Sequence, residues 1–481
     1  MNNLALLTDL YELTMMNGYL NEGMSDRIVV FDLFYRTNPC DNGYAIAAGM
    51  EQALDYIKNA RFGEDELIYL QSLGIFDDRF IDALRNFKFS GDIFAVPEGT
   101  VVFPNEPLVK VKGPVLEAQL LETALLNIIN HQSLIATKAA RVSQAAQGSP
   151  VLEFGLRRAQ GPDAGLYGAR AAIIGGCAAT SDVLAGQMFG VPVRGTHAHS
   201  WVMSFDDELS AFRAYASSFP DACTLLVDTY DTLRQGVPNA ITVFKEMRDK
   251  GVKLKNYGIR LDSGDLAYLS KQARKMLDAA GFSDAVISAS SDLDENLISS
   301  LKIQEAKIDV WGVGTRLITS LDCPAFGGVY KLACEYDASG KAVPKLKLSE
   351  NPEKVTNPGD KKVYRLYDAD TGMFKADLVA LERETIDFSR DLTIFDPMAT
   401  WKRSTLAGGQ YTARELLIPM VVSGEVVYQS PSVMEIRDNC RRELATLWDE
   451  HKRLVNPQTC YVDLSQELYD LKQQMIKDLR R

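Results

Sequence analysis

The chain is poor in histidine, with four in 481 residues. Its seven cysteines, at positions 40, 177, 223, 323, 334, 440 and 460, form no CxxC pair. That excludes a zinc ribbon and a disulfide framework, and reduced, mostly buried thiols are expected. No apolar run approaches the roughly 20 residues that a membrane span requires. The start, MNNLALLTDLYELTM, has neither the basic region nor the long apolar core of a signal peptide, so the expected location is the cytoplasm. Basic charge is also short: 52 Lys and Arg stand against 64 Asp and Glu, a net −12. This argues against broad nucleic-acid binding and leaves small molecules as the expected partners. A GxGxxG fingerprint between strand and helix is missing, which argues against a dinucleotide-binding sheet. Apolar residues are ample at 46%, enough for sizeable cores.

The first third is mixed. Thr8 is expected to cap a helix through LYELTMMNGYL, with Asp9 in its first turn. VVFDLFYR reads as a strand, and GDIFAVPEGTVVFPNEPLVKVKGP as short strands broken by Pro and Gly turns. Pro114 opens a long helical stretch with apolar residues at 116, 120, 121, 124, 125, 128 and 129, stopped by Gly148-Ser149-Pro150. From residue 150 short apolar runs (VLEF, VPVRGT, CTLLVDTY, YGIRLD, AVISASSD, DVWGVGT, GGVYKLA) alternate with helical patterns. Such alternation predicts βα units, about seven of them, and an irregular α/β barrel. The expected α/β architecture has an N-terminal α/β sandwich domain over residues 1–148 and the barrel over 149–335. A C-terminal region over 336–481 ends in a helical extension. The lysine-rich KAVPKLKLSENPEKVTNPGDKKVYRLYD reads as a solvated loop and hairpin, and His451 as solvent-facing.

Polar residues follow the apolar core of strand after strand: Glu153, His199, Asp228, Arg260, Asp262, Ser291, Asp292 and Arg316. Barrel enzymes build their sites at that end. RGTHAHSW places His197 and His199 one residue apart, which suits a metal pair, a phosphoryl-accepting or proton-moving imidazole, or one packing ring and one idle one. With no cysteine nearby, the metal reading is weaker. The glycine-containing loops at 312–315, 327–328 and 262–265, with Arg157, Arg158, Arg260 and Lys331, describe a pocket for a highly phosphorylated small molecule. Asp262 and Asp265 suit ribose hydroxyls or magnesium, with capping and turn formation as the competing role. Phe154 and Tyr11 offer flat faces for an aromatic substrate, with core packing as theirs. His131, inside the long helix, reads as a packing residue.

TDLYELTM, FDLFYR, EFGLRRAQGPD, ATSDVLAG, GTHAHSWVMSF, RLDSGDL, GVGTRL, GGVYKL and the KLS…KVTNPGDKKVYR segment together resemble the nicotinate phosphoribosyltransferases, in order from about residue 8 to 365. The resemblance implies an enzyme of NAD salvage that joins nicotinate to phosphoribosyl pyrophosphate. It implies ATP as co-substrate, Mg2+ with the phosphates, and no metal site made by protein alone. It also implies a homodimer whose active sites form between subunits. His199 takes the place of the phosphorylated histidine, with Asp262 and Arg157 beside it as catalytic residues. Phe154 and, from the partner subunit, Tyr11 enclose the pyridine; Thr196, Asp182 and Arg260 also contact substrate. Gly312, Gly314, Gly327, Gly328, Arg158 and Lys331 hold phosphates. One departure stands out: position 182 is Asp where the family pattern has Asn. A carboxylate there suits the amide of nicotinamide better than the acid, so a nicotinamide enzyme is the alternative, with a non-catalytic binding protein of the same fold as the third reading.

Overall fold

In the computed structural model, residues 3–351 and 354–480 are described. Met1 and Asn2 of the amino-terminal stretch, Pro352 and Glu353 of the lysine-rich segment, and Arg481 lie outside them. The chain divides into two compact units. Residues 1–134, 325–431 and 438–481 form the first, and 135–324 with 432–437 form the second. Among the described residues no helix is long and apolar enough to cross a membrane.

The second unit is built on six parallel strands in a curled half-barrel. Their order is Ala179–Thr180, Val151–Glu153, Val310–Val313, Val286–Ala289, Tyr257–Leu261 and Cys223–Leu226. Each is short, apolar and followed by a helix, the pattern that demands right-handed crossovers and a sheet buried on both faces. Segment 192–199 then reaches both edges of this sheet. Val193 bridges Thr180 at one edge, and the Leu226 N–H at the other donates to Nε2 of His197 at 3.2 Å. Helix N-termini here carry aspartate caps: Asp182, Asp207, Asp265 and Asp294 each accept from backbone amides of the first turn.

GGVYKLA departs from the barrel reading. Gly328–Tyr336 is antiparallel to Ile28–Tyr35 in a seven-stranded sheet of the first unit. The apolar run looked like another barrel strand because both neighbours bury it; its partner, 300 residues away in sequence, was not readable from the run itself. The first unit also holds an antiparallel set of Tyr411–Glu415, Lys361–Asp368 and Phe374–Leu381, extended by the parallel strand Val462–Leu464.

Three local expectations change. The first helix runs from Leu10 to Asn21 with Asp9 at its N-cap, and the Thr8 hydroxyl donates to Glu12 Oε2 instead of capping. The lysine-rich segment is not wholly solvated: Lys361 is 1% exposed and its ammonium sits 2.7 Å from Asp32 Oδ2. His451 is half-buried, with Nδ1 at 3.0 Å from the Gln458 carbonyl and 3.1 Å from Cys460 Sγ. Of the cysteines, 177, 223, 334, 440 and 460 are buried.

Candidate active site

Polar side chains from three neighbouring strand ends of the second unit, those of Cys223–Leu226, Tyr257–Leu261 and Val286–Ala289, converge around His199. His199 starts a short helix over His199–Met203, and its ring is part-exposed. Nδ1 lies 3.1 Å from the Thr229 hydroxyl, and Nε2 lies 3.7 Å from Asp262 Oδ2. The ring is therefore held from one nitrogen and faces a carboxylate with the other. Asp262 is itself positioned: its Oδ1 accepts from Ser290, and its backbone N–H donates to Asp228 Oδ2 at 2.8 Å. Ser263 donates to the same Asp228 oxygen at 2.6 Å, while Asp228 Oδ1 is buried without a hydrogen-bond partner among the described residues. The adjoining backbone is strained, with Ser291 at φ 99° and Asp292 at φ 43°. Such conformations cost about 1–3 kcal/mol and cluster at functional sites.

His197 has a different task. Its ring is buried against Tyr215, centroids 4.6 Å apart, and Nε2 accepts the Leu226 amide. An imidazole that accepts there must be neutral. Burial pushes its pKa down to about 4, with the Arg260 charge adding to the effect. The paired histidines thus divide the roles: one fastens the segment to the barrel edge, and the other is presented to the pocket.

Arg260 donates to the Thr196 hydroxyl at 2.5 Å and to the His197 carbonyl at 3.1 Å, and its Nε–H is left buried without a partner among the described residues. Burial lowers its pKa from the usual arginine value, partly offset by Asp262 and Asp228, while Arg157 acts with burial. Arg157 and Arg158 lie exposed on a short 3-10 turn over Leu156–Arg158. Glu153 is fully buried, accepts from Thr180 at 2.6 Å and from the Gly155 amide, and is raised in pKa by burial. It locks the loop that carries Phe154.

Gly312 lies inside the strand Val310–Val313, paired beside Leu152, and not in a turn. A Cβ there would come within 2.8 Å of the Phe154 ring, so this glycine admits the aromatic face. Gly314 stands in the turn that follows, near the Phe154 carbonyl. Asp182 is buried and uses Oδ1 to cap the helix Val183–Phe189, accepting from Leu184 at 2.9 Å and Ala185 at 3.1 Å. Asp265 likewise caps Leu266–Ala279, the competing role weighed for it.

Ten of the expected residues therefore share the second unit: Phe154, Arg157, Arg158, Asp182, Thr196, His199, Arg260, Asp262, Gly312 and Gly314. Tyr11, Gly327, Gly328 and Lys331 belong to the first, where burial and the nearby Glu122 push the Tyr11 phenol above its ordinary pKa and Glu122 stands 3.8 Å from Lys331 Nζ. Gly328 leaves room for Asn130. Sequence reasoning missed Thr229 and Ser290, and it named Asp228 without a role. Thr229 follows Asp228 at one strand end and Ser290 precedes the strained Ser291 at another, so position relative to the strands was the available signal.

Residues 150–357 match the nicotinate phosphoribosyltransferase (NAPRTase) family, residues 6–130 its N-terminal domain, and 360–472 its C-terminal domain. This chain belongs to the nicotinate phosphoribosyltransferase family. It is 48% identical over 480 residues to the nicotinate phosphoribosyltransferase of Bacillus subtilis (strain 168), covering 100% of this chain and 96% of that one. Nicotinate phosphoribosyltransferase pncB2 of Mycobacterium tuberculosis (strain CDC 1551 / Oshkosh) is 42% identical over 451 residues, covering 94% and 89%. The crystal structure of human nicotinic acid phosphoribosyltransferase shares the fold with a TM-score of 0.84 at 31% identity, covering 98% of this chain and 99% of that one.

Proposed function

We propose that this chain converts nicotinate and phosphoribosyl pyrophosphate to nicotinate mononucleotide and pyrophosphate, in NAD salvage in the cytoplasm, with ATP hydrolysis coupled through a phosphohistidine at His199. The observation that carries the proposal is the setting of His199, held at Nδ1 by Thr229 with Nε2 beside Asp262. The identity to named relatives supports the substrate.

In the reaction the ribose C1–oxygen bond breaks, pyrophosphate leaves, and the pyridine nitrogen forms a new bond to C1. The protein must position the ring, hold the ribose and stabilise charge on the leaving group. Phe154 offers the ring a face. The unpartnered Arg260 Nε–H fits a carboxylate. Asp262, fixed by Ser290, suits the ribose, and Arg157 and Arg158 the phosphates. Asp228 Oδ1 and Asp262 fit a Mg2+ ion that arrives with the phosphates and would supply charge neutralisation there. A phosphoryl group on His199 would pass ATP energy to a cycle otherwise near balance. The same reading includes a homodimer whose active sites form between subunits, with Tyr11 supplied by the partner.

The test is product chromatography with nicotinate or nicotinamide, phosphoribosyl pyrophosphate and Mg2+, with and without ATP. Nicotinate mononucleotide boosted by ATP is expected. Nicotinamide mononucleotide would instead make the buried Asp182 carboxylate the specificity switch, and no product from either would leave a binding protein.

A further inference from the structure

One buried carboxylate joins two residues that the proposed reaction sets around the pyridine ring. Glu153 is fully buried at the end of its strand, with no lysine, arginine or histidine in ion-pair reach among the described residues. Its Oε1 accepts from the Gly155 amide, and its Oε2 accepts from the Thr180 hydroxyl at 2.6 Å. Thr180 is buried on the neighbouring strand, and its hydroxyl oxygen takes the Asp182 amide at 3.0 Å. The direction of this chain is fixed, because a hydroxyl that accepts from a backbone N–H has its one proton left for Glu153. One arm of Glu153 therefore ends on the Phe154–Gly155 turn, and the other ends, through Thr180, on Asp182. The Phe154 amide is held as well, donating to the Val313 carbonyl at 2.8 Å. Asp182 spends Oδ1 on its helix cap, and its Oδ2 has no hydrogen-bond partner among the described residues.

A buried carboxylate with two donors and no cation is a costly way to join two strands. Burial raises its pKa, the Thr180 and Gly155 donors oppose this, and the Asp182 charge adds to it. A neutral side chain would tie the strands at less cost, but it could not accept at both ends. We propose that Glu153 and Thr180 are positioning residues of the pyridine pocket, coupling the Phe154 face to the Asp182 carboxylate and so setting the choice between a ring acid and a ring amide. This inference rests on the pyridine chemistry proposed above. The Thr180 backbone is fixed without its hydroxyl: its amide donates to the Pro192 carbonyl at 3.0 Å, and its carbonyl accepts from Arg194 at 2.9 Å. Removing the hydroxyl therefore loosens Asp182 and leaves the strand in place.

Two variants break the same link. Thr180→Val removes the hydroxyl and keeps the branched shape. In Glu153→Gln, an amide that still accepts from Gly155 turns its N–H groups towards a threonine oxygen already occupied by the Asp182 amide. Steady-state kinetics on the full-length protein would use phosphoribosyl pyrophosphate, Mg2+ and ATP with each base, nicotinamide being scored as a competitor where it is not turned over. Both variants should move the nicotinate-to-nicotinamide preference about tenfold towards nicotinate, mostly through KM, because a carboxylate no longer held beside the ring stops disfavouring the acid. The KM for phosphoribosyl pyrophosphate should stay within about twofold, and Thr180→Ser, which keeps the hydroxyl, should behave as the parent. A merely structural tie would raise every KM together or lower kcat alike for both bases, and either result overturns the proposal. So does an unchanged base preference in a Thr180→Val protein that melts like the parent, or a Thr180→Ser protein indistinguishable from Thr180→Val. If Thr180→Val melts far below the parent, the base preference of Glu153→Gln decides. A parent that makes neither mononucleotide overturns the proposed function itself; a parent that makes one, with variants that keep its base preference, overturns the coupling alone.

Discussion

Two histidines one residue apart occupy different chemical states because one is buried and the other is not. His197 rests in its neutral form with a folded pKa of about 4, against an ordinary value of 6.5. The unfolded chain therefore takes up a proton below pH 6.5 that the folded chain refuses, and the stability linked to this group is lost as pH falls from 6.5 towards 4. Above 6.5 it contributes no slope. Melting temperature measured across that window should fall in the parent and fall less in His197→Gln, whose amide can still accept from Leu226. An unchanged slope would mean that other groups carry the acid transition. His199→Ala should keep the melting temperature within a few degrees and abolish ATP-stimulated turnover and an acid-labile phosphoenzyme; undiminished ATP stimulation would refute its proposed role. Asp182→Asn is a clean substitution because asparagine caps a helix about as well as aspartate, within about 0.5 kcal/mol. It should lower the Michaelis constant for nicotinate relative to nicotinamide; a constant ratio would reduce Asp182 to a cap.

Elements place these residues, and here sequence reading worked unevenly. The strands carrying Glu153, Arg260 and Gly312 were legible because short apolar runs ending in polar residues are what a parallel sheet buried on both faces requires. The partner of a run was not legible, so Gly328–Tyr336 was read into the barrel although it pairs with Ile28–Tyr35. Nor did the glycine pattern reveal purpose: Gly312 looked like a phosphate turn and is a strand residue under an aromatic ring. Gly312→Ala should push the Phe154 ring aside, cost about 1–3 kcal/mol in denaturant unfolding, and raise the nicotinate Michaelis constant more than it lowers turnover. The helix Glu295–Ile303 is tied to the long helix by Glu295, which accepts from Arg141 at 2.9 Å and sits 2.7 Å from Lys138, all buried. Removing one member of such a group costs more than the pair contributes, so Glu295→Ala should lose about 3–5 kcal/mol of unfolding free energy.

At the scale of the whole molecule, chain order and spatial order part company. The first unit takes residues from the beginning, the middle and the end of the chain, while the second is nearly continuous. Continuous βα units announce themselves by repetition; a unit assembled from three stretches does not, because each stretch buries its apolar face against partners far away in sequence. The expected site is divided in the same way, with Tyr11 and Lys331 in one unit and His199 and Phe154 in the other. If the site forms between subunits, sedimentation should give a dimer, and mixing inactive Tyr11→Ala with inactive His199→Ala chains should recover part of the parent activity. A fully active monomer would refute this.

By itself the sequence determined that the chain carries parallel βα units, that its polar chemistry sits at their carboxyl ends, and that its ordered motifs resemble one enzyme family. These follow from periodicity and from the residue types that a pocket needs, both of which are local. Tertiary structure alone decided which histidine is buried, which glycine faces a ring and which strand leaves the barrel. Those depend on burial and on contacts between distant residues, and neither is written in any one segment.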